Sequence, residues 1–117
     1  MNGARVRFLR REEVLPRLCA RARELVASHS EVLEVSLFGS LARGNHGASS
    51  DADIYILLRS DERRFIDRIT EFLDHFSDVG VPVEVFPYTV EEKERMKGRP
   101  FLTTVDREKL LLASRTS

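Results

Sequence analysis

The sequence lacks several features that would assign a function class at once. Among its 117 residues it has one cysteine, no tryptophan, and 19 basic residues against 19 acidic ones. The single Cys19 excludes an internal disulfide bond and a thiolate metal cluster, and its place in an apolar helical pattern predicts that it fills the core. The balance of charge gives no general attraction to nucleic acid or to an anionic membrane. We therefore expect neither as a partner, and any anion-binding site must be local.

Long apolar runs are also missing. No stretch approaches the roughly 18 apolar residues that a membrane helix needs, and the first residues lack the basic-then-apolar layout of a signal peptide. We therefore expect a cytoplasmic protein. The length predicts a single domain over residues 1–117. Its core is expected between about residues 12 and 112, and the basic residues 1–11 fit either an arm or a short strand.

The spacing of apolar residues predicts alternating helices and strands. Three- and four-residue spacing predicts a helix over residues 12–28 and a second helix that Ser60 caps. Thr89 opens a capping-box motif, which predicts a short helix there. Residues 101–114 are ambiguous, and within them residues 109–112 fit either a final strand or the end of a helix. Strands are predicted over residues 32–38, 52–58 and 81–86.

The most informative stretch ends in two carboxylates. Asp51 and Asp53 lie two residues apart at the start of the strand predicted over residues 52–58, so both side chains project from the same face. Two carboxylates this close repel each other unless water or a cation neutralises them. Oxygen ligands alone suit Mg²⁺ or Mn²⁺ better than zinc, so the pair is a candidate metal site. The alternative is that both are solvated residues at a strand start.

A candidate phosphate site precedes the carboxylates. Gly39 lets the backbone turn sharply and permits a ligand to approach it closely. Ser40 offers a hydroxyl and a backbone N–H at the start of a short predicted helix, and Arg43 can hold a phosphate oxygen through its guanidinium. The alternatives are an ordinary Gly-Ser turn and a solvated arginine.

A third carboxylate comes from a later strand. Glu84 projects opposite to the valines of the strand predicted over residues 81–86. If that strand pairs beside residues 52–58, Glu84 joins Asp51 and Asp53, and three carboxylates of this kind can hold two metal ions. Otherwise Glu84 is an exposed polar strand residue.

Together these residues resemble a known motif. Gly39-Ser40, ten intervening residues and Asp51-x-Asp53 have the spacing of the nucleotidyltransferases related to DNA polymerase β. The stretch over residues 37–44 looks like that of their small stand-alone members, the minimal nucleotidyltransferases, which are often the MntA-type antitoxin partners of HEPN-domain toxins. The resemblance implies an α/β (α+β) fold, with a mixed sheet and helices packed mainly on one side.

The resemblance also implies roles for particular residues. Gly39 and Ser40 would hold the triphosphate of ATP, with help from Arg43. Many relatives have aspartate at the third acidic position, where this sequence has a longer glutamate that can ligate Mg²⁺ or take the acceptor's proton. Catalytic and metal-binding roles are implied for Asp51, Asp53 and Glu84.

The implied reaction transfers AMP from ATP to a hydroxyl group, and pyrophosphate leaves. Because little chain follows the catalytic core, we expect a partner protein to bring the acceptor, and the resemblance implies a tyrosine of a HEPN toxin. Two other functions stay open. One is a binding module that neutralises a toxin by occlusion, and the other is a transferase subunit for small molecules such as aminoglycosides.

The remaining histidines and aromatic residues are predicted to have ordinary roles. His29 and His75 are expected at surface or helix-end positions, and His46 is expected in a solvated loop. Core or core-rim positions are predicted for Tyr55, Phe86 and Tyr88.

Overall fold

The computed structural model describes residues 10–44 and 51–115. Most of the predicted basic arm and the loop that contains His46 lie outside the described residues. Within those two ranges, no helix is both long enough and apolar enough to cross a bilayer. In chain order the elements are α1 (Arg11–Ser28), β1 (Val32–Phe38), α2 (Ser40–Arg43), β2 (Ala52–Leu58), α3 (Phe65–Leu73) with a 3₁₀ turn after it (Asp74–Phe76), β3 (Val83–Thr89), α4 (Val90–Arg95), α5 (Pro100–Glu108) and β4 (Leu110–Ser114).

The four strands of the two described ranges form one mixed sheet in the order β3-β2-β1-β4. β1 is antiparallel to both β2 and β4, whereas β3 is parallel to β2. The parallel pair requires a crossover connection, and α3 supplies it. This confirms the predicted α+β fold. In the ambiguous segment over residues 101–114 most of α5 comes first, and the part that fitted either a strand or a helix end, residues 109–112, lies largely in β4.

The main core lies between one face of the sheet and the helices α1 and α3. Val14 and Leu18 of α1 pack there with Ile54 and Ile56 of β2, and all four have no exposed surface. Phe72 of α3 closes the same core. Burying side chains of this size stabilises a fold by about 1.5–3 kcal/mol each. Most of the helical residues therefore pack on this face of the sheet, and most of the buried apolar side chains lie there.

A second apolar cluster covers part of the opposite face. There α5 places Leu102 and Val105 against Phe38 and Tyr55. Most of β2 is therefore buried on both faces, and Asp53 lies near the start of the strand, where it is only half-buried. The predicted packing roles are confirmed for Tyr55 and for two residues that lie around this cluster, Phe86 and Tyr88.

The second helix starts later than predicted. It begins at Phe65, so Ser60 does not cap it. The reason is local, because the Asp61 carboxylate accepts a hydrogen bond of 2.9 Å from the Arg63 N–H and so closes a turn before the helix. The segment after β2 therefore forms a loop before α3.

β3 also differs from its predicted bounds. It begins at Val83 and runs beyond residue 86 to Thr89, because its parallel pairing with β2 continues to Leu58. Pro87 is tolerated inside β3 because this strand lies at the edge of the sheet. At its end the capping box is present, with Glu92 N–H donating to Thr89 Oγ1 at 3.1 Å and Thr89 N–H donating to Glu92 Oε1 at 2.9 Å.

His29 and His75 lie at helix ends, as expected. The fold adds contacts that their spacing did not predict. His29 Nε2 lies 2.8 Å from Glu71 Oε2, and the His29 ring meets the edge of the His75 ring with 5.1 Å between centroids. These contacts connect the end of α1 to the end of α3.

A buried arginine links several elements by hydrogen bonds at the end of the sheet that lies farthest from Asp53. Arg68 of α3 is 4% exposed. Its guanidinium donates to the carbonyl oxygens of Asp61 and Pro87, at 2.9 and 3.2 Å, and to Glu92 Oε1 at 2.7 Å. These bonds join α3 to the loop after β2, to β3 and to α4.

Replacing Arg68 should therefore destabilise the fold. Arg68→Met removes the guanidinium that donates to the Glu92 carboxylate and to the carbonyl oxygens of Asp61, Arg63 and Pro87, so we expect a loss of about 3 kcal/mol in the free energy of unfolding. The matched control is Arg95→Met, because the Arg95 side chain is 67% exposed. It should change the same quantity by less than about 0.5 kcal/mol. Urea denaturation measures both, and equally small losses would show that the Arg68 contacts do not stabilise the fold.

Candidate active site

Gly39 joins β1 to α2 in a conformation that favours glycine, with φ 81° and ψ −162°. A Cβ at this position would overlap Oδ2 of Asp53 and would lie 3.4 Å from its Cγ. The Gly-Ser turn predicted from the sequence is therefore present, and its backbone passes directly against the Asp53 carboxylate. Both the positive φ and the lack of a side chain are needed for this approach.

Asp53 and Glu84 lie side by side on neighbouring strands. In the parallel pairing of β2 with β3, the partner of Asp53 is Glu84, so the two side chains emerge on the same face of the sheet. Asp53 is half-buried, whereas Asp51 and Glu84 are exposed. The condition that the sequence left open, pairing of the Glu84 strand with β2, is met.

Negative charge accumulates around Asp53. Burial, and then the charges of Glu84 and Asp51, raise the pKa of Asp53 to about 6, while Arg43 acts in the opposite direction. A half-buried carboxylate repelled by two others differs from a freely solvated residue at a strand start. A pKa near neutrality is also a common property of carboxylates that exchange protons or bind cations.

The carboxylates have the donor chemistry for a hard divalent cation. Oxygen ligands of this kind are those that Mg²⁺ and Mn²⁺ prefer. Across residues 10–44 and 51–115, however, no three acidic, histidine or cysteine side chains are gathered closely enough to hold a metal ion as they stand. Metal binding by Asp51, Asp53 and Glu84 therefore stays a prediction, supported by donor type and by charge.

Arg43 has a carboxylate partner that sequence reasoning missed. Its Nη1 donates to Glu108 Oε1 at 2.8 Å, and the backbone N–H of Gly39 donates to the same oxygen at 3.2 Å. Glu108 is the last residue of α5 and follows Gly39 by 69 positions. No spacing rule connects residues so far apart, and the segment of Glu108 had no firm secondary-structure prediction.

Arg11 stabilises α2 through hydrogen bonds to its carbonyl oxygens. Its Nε donates to the Leu41 carbonyl oxygen at 2.8 Å, and its Nη2 donates to the Ala42 carbonyl oxygen at 3.2 Å. The sequence assigned Arg11 to a basic arm, but the residue begins α1. Since carbonyl groups at a helix end lack partners within the helix, these bonds fix the short helix that carries Ser40 and Arg43.

Comparison with known proteins gives a family and a fold. The sequence profile of the nucleotidyltransferase domain family matches residues 19–110. A candidate nucleotidyltransferase from Sulfolobus solfataricus is 24% identical, with a TM-score of 0.66 over 90% of this chain and 84% of that one. No curated protein matches the sequence.

Two structures of toxin–antitoxin complexes are also similar. One, solved with AMP-PNP, has 15% identity and a TM-score of 0.50 over 92% of this chain and 76% of that one. The other, a mutant of the MntA-HpeT toxin–antitoxin, has 16% identity and a TM-score of 0.56 over 92% and 75%. At these identities the likeness shows a common fold.

Two glycine substitutions separate backbone strain from the contact with Asp53. Gly98 also has a positive φ, of 85°, but a Cβ there would meet nothing within 4 Å. Gly98→Ala should therefore lower the free energy of unfolding by about 1 kcal/mol through strain alone. Gly39→Ala should lower it by about 3 kcal/mol, because strain and overlap add. Thermal or urea unfolding measures both, and equal losses would contradict a tight Gly39–Asp53 contact.

The raised pKa of Asp53 predicts a pH-dependent stability. A carboxylate with a folded-state pKa of about 6 instead of 3.8 favours the folded state while it is protonated, and this contribution is lost as the pH rises through about 6. Asp53→Asn should thus be more stable than the wild type by about 1–2 kcal/mol at pH 7.5 without divalent cations.

The same substitution should have little effect near pH 4, where Asp53 is already protonated in the folded state. The control is Asp74→Asn, which removes an exposed aspartate from the 3₁₀ turn and so measures the effect of deleting a surface carboxylate elsewhere in the fold. Urea titrations at the two pH values measure the difference. An Asp53→Asn effect that is constant with pH would contradict the charge repulsion described above.

Proposed function

Since the chain belongs to the nucleotidyltransferase domain family, we propose that it transfers AMP from ATP to a hydroxyl group of a partner toxin and thereby acts as an antitoxin. One observation carries the proposal. The Gly39 turn lies against the half-buried Asp53, which is itself the strand partner of Glu84. Groups suited to phosphate and carboxylates suited to a divalent cation thus meet at one end of β2.

Each candidate residue has a defined part in the proposed reaction. The Gly39 N–H, Ser40 and Arg43 hold the triphosphate. Asp51 and Asp53 are the proposed ligands of Mg²⁺ or Mn²⁺. The cation would supply positive charge against the triphosphate and the leaving pyrophosphate.

The transfer itself is a displacement at phosphorus. The acceptor oxygen forms a bond to the α-phosphorus of ATP, the bond from that phosphorus to the oxygen bridging the β-phosphate breaks, and pyrophosphate leaves. The proton of the acceptor hydroxyl passes to a carboxylate. Glu84 is exposed beside Asp53, and we assign it either this role or that of a third metal ligand.

The proposed acceptor is a tyrosine hydroxyl of a HEPN-family toxin. Support comes from the fold shared with the two toxin–antitoxin structures, one of which was solved with AMP-PNP, an analogue of ATP. A protein acceptor also agrees with the exposure of Asp51 and Glu84, which leaves the carboxylates accessible to a large partner. The proposal places the protein in the cytoplasm, where ATP is available.

A labelling experiment tests the proposal. The protein is co-purified with the product of a neighbouring toxin gene and incubated with α-labelled ATP and Mg²⁺. We expect label on the toxin, and we expect Asp51→Asn or Asp53→Asn to lower its rate of transfer by about 100-fold or more. Asp106→Asn, which removes an exposed carboxylate from α5, is the control and should label at the wild-type rate.

Two outcomes would contradict the proposal. One is the absence of label on any co-purified protein, and the other is equal labelling by the Asp51→Asn and control variants. Peptide mapping of the labelled toxin tests the acceptor, since a modified residue other than tyrosine would exclude that assignment alone.

The binding-module function is the alternative, because neutralisation by occlusion needs the fold and the contact with the toxin but not the carboxylates. This alternative predicts that the Asp51→Asn, Asp53→Asn double variant neutralises the toxin in growing cells as well as the wild type does. Under the transferase proposal, the double variant fails to restore growth although it still binds the toxin.

A further inference from the structure

The carboxylate of Glu108 accepts hydrogen bonds from two of the donors that we assigned to the triphosphate. Its Oε1 accepts a hydrogen bond from the Gly39 N–H at 3.2 Å and another from Arg43 Nη1 at 2.8 Å. The Glu108 side chain is only 12% exposed, whereas that of Arg43 is 46% exposed. A single carboxylate oxygen thus joins the Gly39 turn to α2, and its bond to Gly39 is part-buried whereas its bond to Arg43 is exposed.

A carboxylate oxygen and a phosphate oxygen make the same kind of charge-assisted bond with an N–H group and with a guanidinium. The Gly39 N–H cannot donate with full strength to both at once. Arg43 has other N–H groups, but the pair it forms with Glu108 already offsets its positive charge. Glu108 therefore has the position and the charge of a competing anion.

We propose that Glu108 is an internal competitor of the triphosphate, which occupies the Gly39 and Arg43 donors in the nucleotide-free protein and leaves them when a nucleotide binds. The inference rests on the proposed function, because it takes these donors to be the phosphate site. As a consequence, the affinity for nucleotide depends on how much more strongly the triphosphate binds these donors than the Glu108 carboxylate does. Glu108 also keeps the donors in place before the nucleotide arrives.

The surroundings allow this exchange without refolding. α5 is anchored by Leu102 and Val105, which are 4% and 0% exposed, so the helix can stay in place while the side chain of its last residue rotates. Glu108 Oε2 lies 3.8 Å from Arg107 Nη2, and the Arg107 side chain is 66% exposed. Arg107 can therefore receive the displaced carboxylate near solvent.

Calorimetric titration with ATP and Mg²⁺ tests the inference without requiring turnover or a toxin. Glu108→Gln keeps the shape and an accepting oxygen but removes the charge. We expect it to tighten ATP binding by about three- to tenfold, which corresponds to the difference between a charged and a neutral acceptor. Asp106→Asn removes one negative charge from the same helix and should change ATP affinity by less than about twofold.

The Gly39 amide resonance gives a second readout and also reports folding. Without nucleotide, the chemical shift of this resonance should differ between the wild type and Glu108→Gln but not between the wild type and Asp106→Asn. Adding ATP to the wild type should also shift it. Glu108→Ala supplies an independent variant, which should also bind ATP more tightly than the wild type.

The possible results separate the inference from the function on which it rests. Equal or weaker ATP binding by both Glu108 variants would overturn the competition while leaving the nucleotide site intact. If neither the wild type nor any folded variant binds ATP, the proposed function fails, and the inference fails with it. A Gly39 resonance that responds to ATP but not to Glu108→Gln would show that Glu108 does not occupy this donor in solution.

Discussion

Gly39 and the Asp53 carboxylate lie so close that a methyl group does not fit between them. This approach follows from the antiparallel pairing of β1 and β2, in which Phe38, the last residue of β1, is the partner of Asp53. The chain leaving β1 must therefore turn over the start of β2, and glycine is the residue that permits the turn. Ser40 and Arg43 come directly after it in α2. The rest of the site depends on this contact, because it brings the donors of one strand end to the carboxylates of the next strand.

The site is electrostatically unbalanced on the acidic side. Asp53 is half-buried and experiences the charges of Glu84 and Asp51, and these effects outweigh the opposing influence of Arg43. Arg43 is in turn paired with Glu108. Such an arrangement opposes folding locally, so the stability of the domain must come from elsewhere, chiefly from the cores on the two sheet faces and from the buried Arg68 at the far end of the sheet. Because the stabilising contacts lie away from the carboxylates, the charged end of β2 stays available to ligands.

The sequence predicted correctly those helices and strands that are determined by residues close together in the chain. The long helix α1 with its one apolar face, β1, β2 and the capping box at Thr89 follow from spacing and turn chemistry over a few residues, and all are present. The errors arose where a competing contact decided the outcome. Asp61 formed a turn and delayed α3 past Ser60, and pairing with β2 carried β3 on to Thr89. Arg11 was assigned to an arm because its partners, the carbonyl groups at the end of α2, lie about thirty positions away.

The sequence by itself determined the chemistry that is available: the Gly39-Ser40 turn after one strand, Arg43, and the carboxylates Asp51 and Asp53 at the start of the next strand. These groups lie within one short stretch, where spacing fixes which side chains share a face. Only the tertiary structure decided that Glu84 stands beside Asp53, since this depends on the order of strands in the sheet. It alone placed Glu108 on the Gly39 and Arg43 donors, because α5 must first pack across the sheet before its last residue can reach them. Periodicity records which face of an element is buried, whereas contacts between distant elements are set by how the whole chain buries its apolar surface.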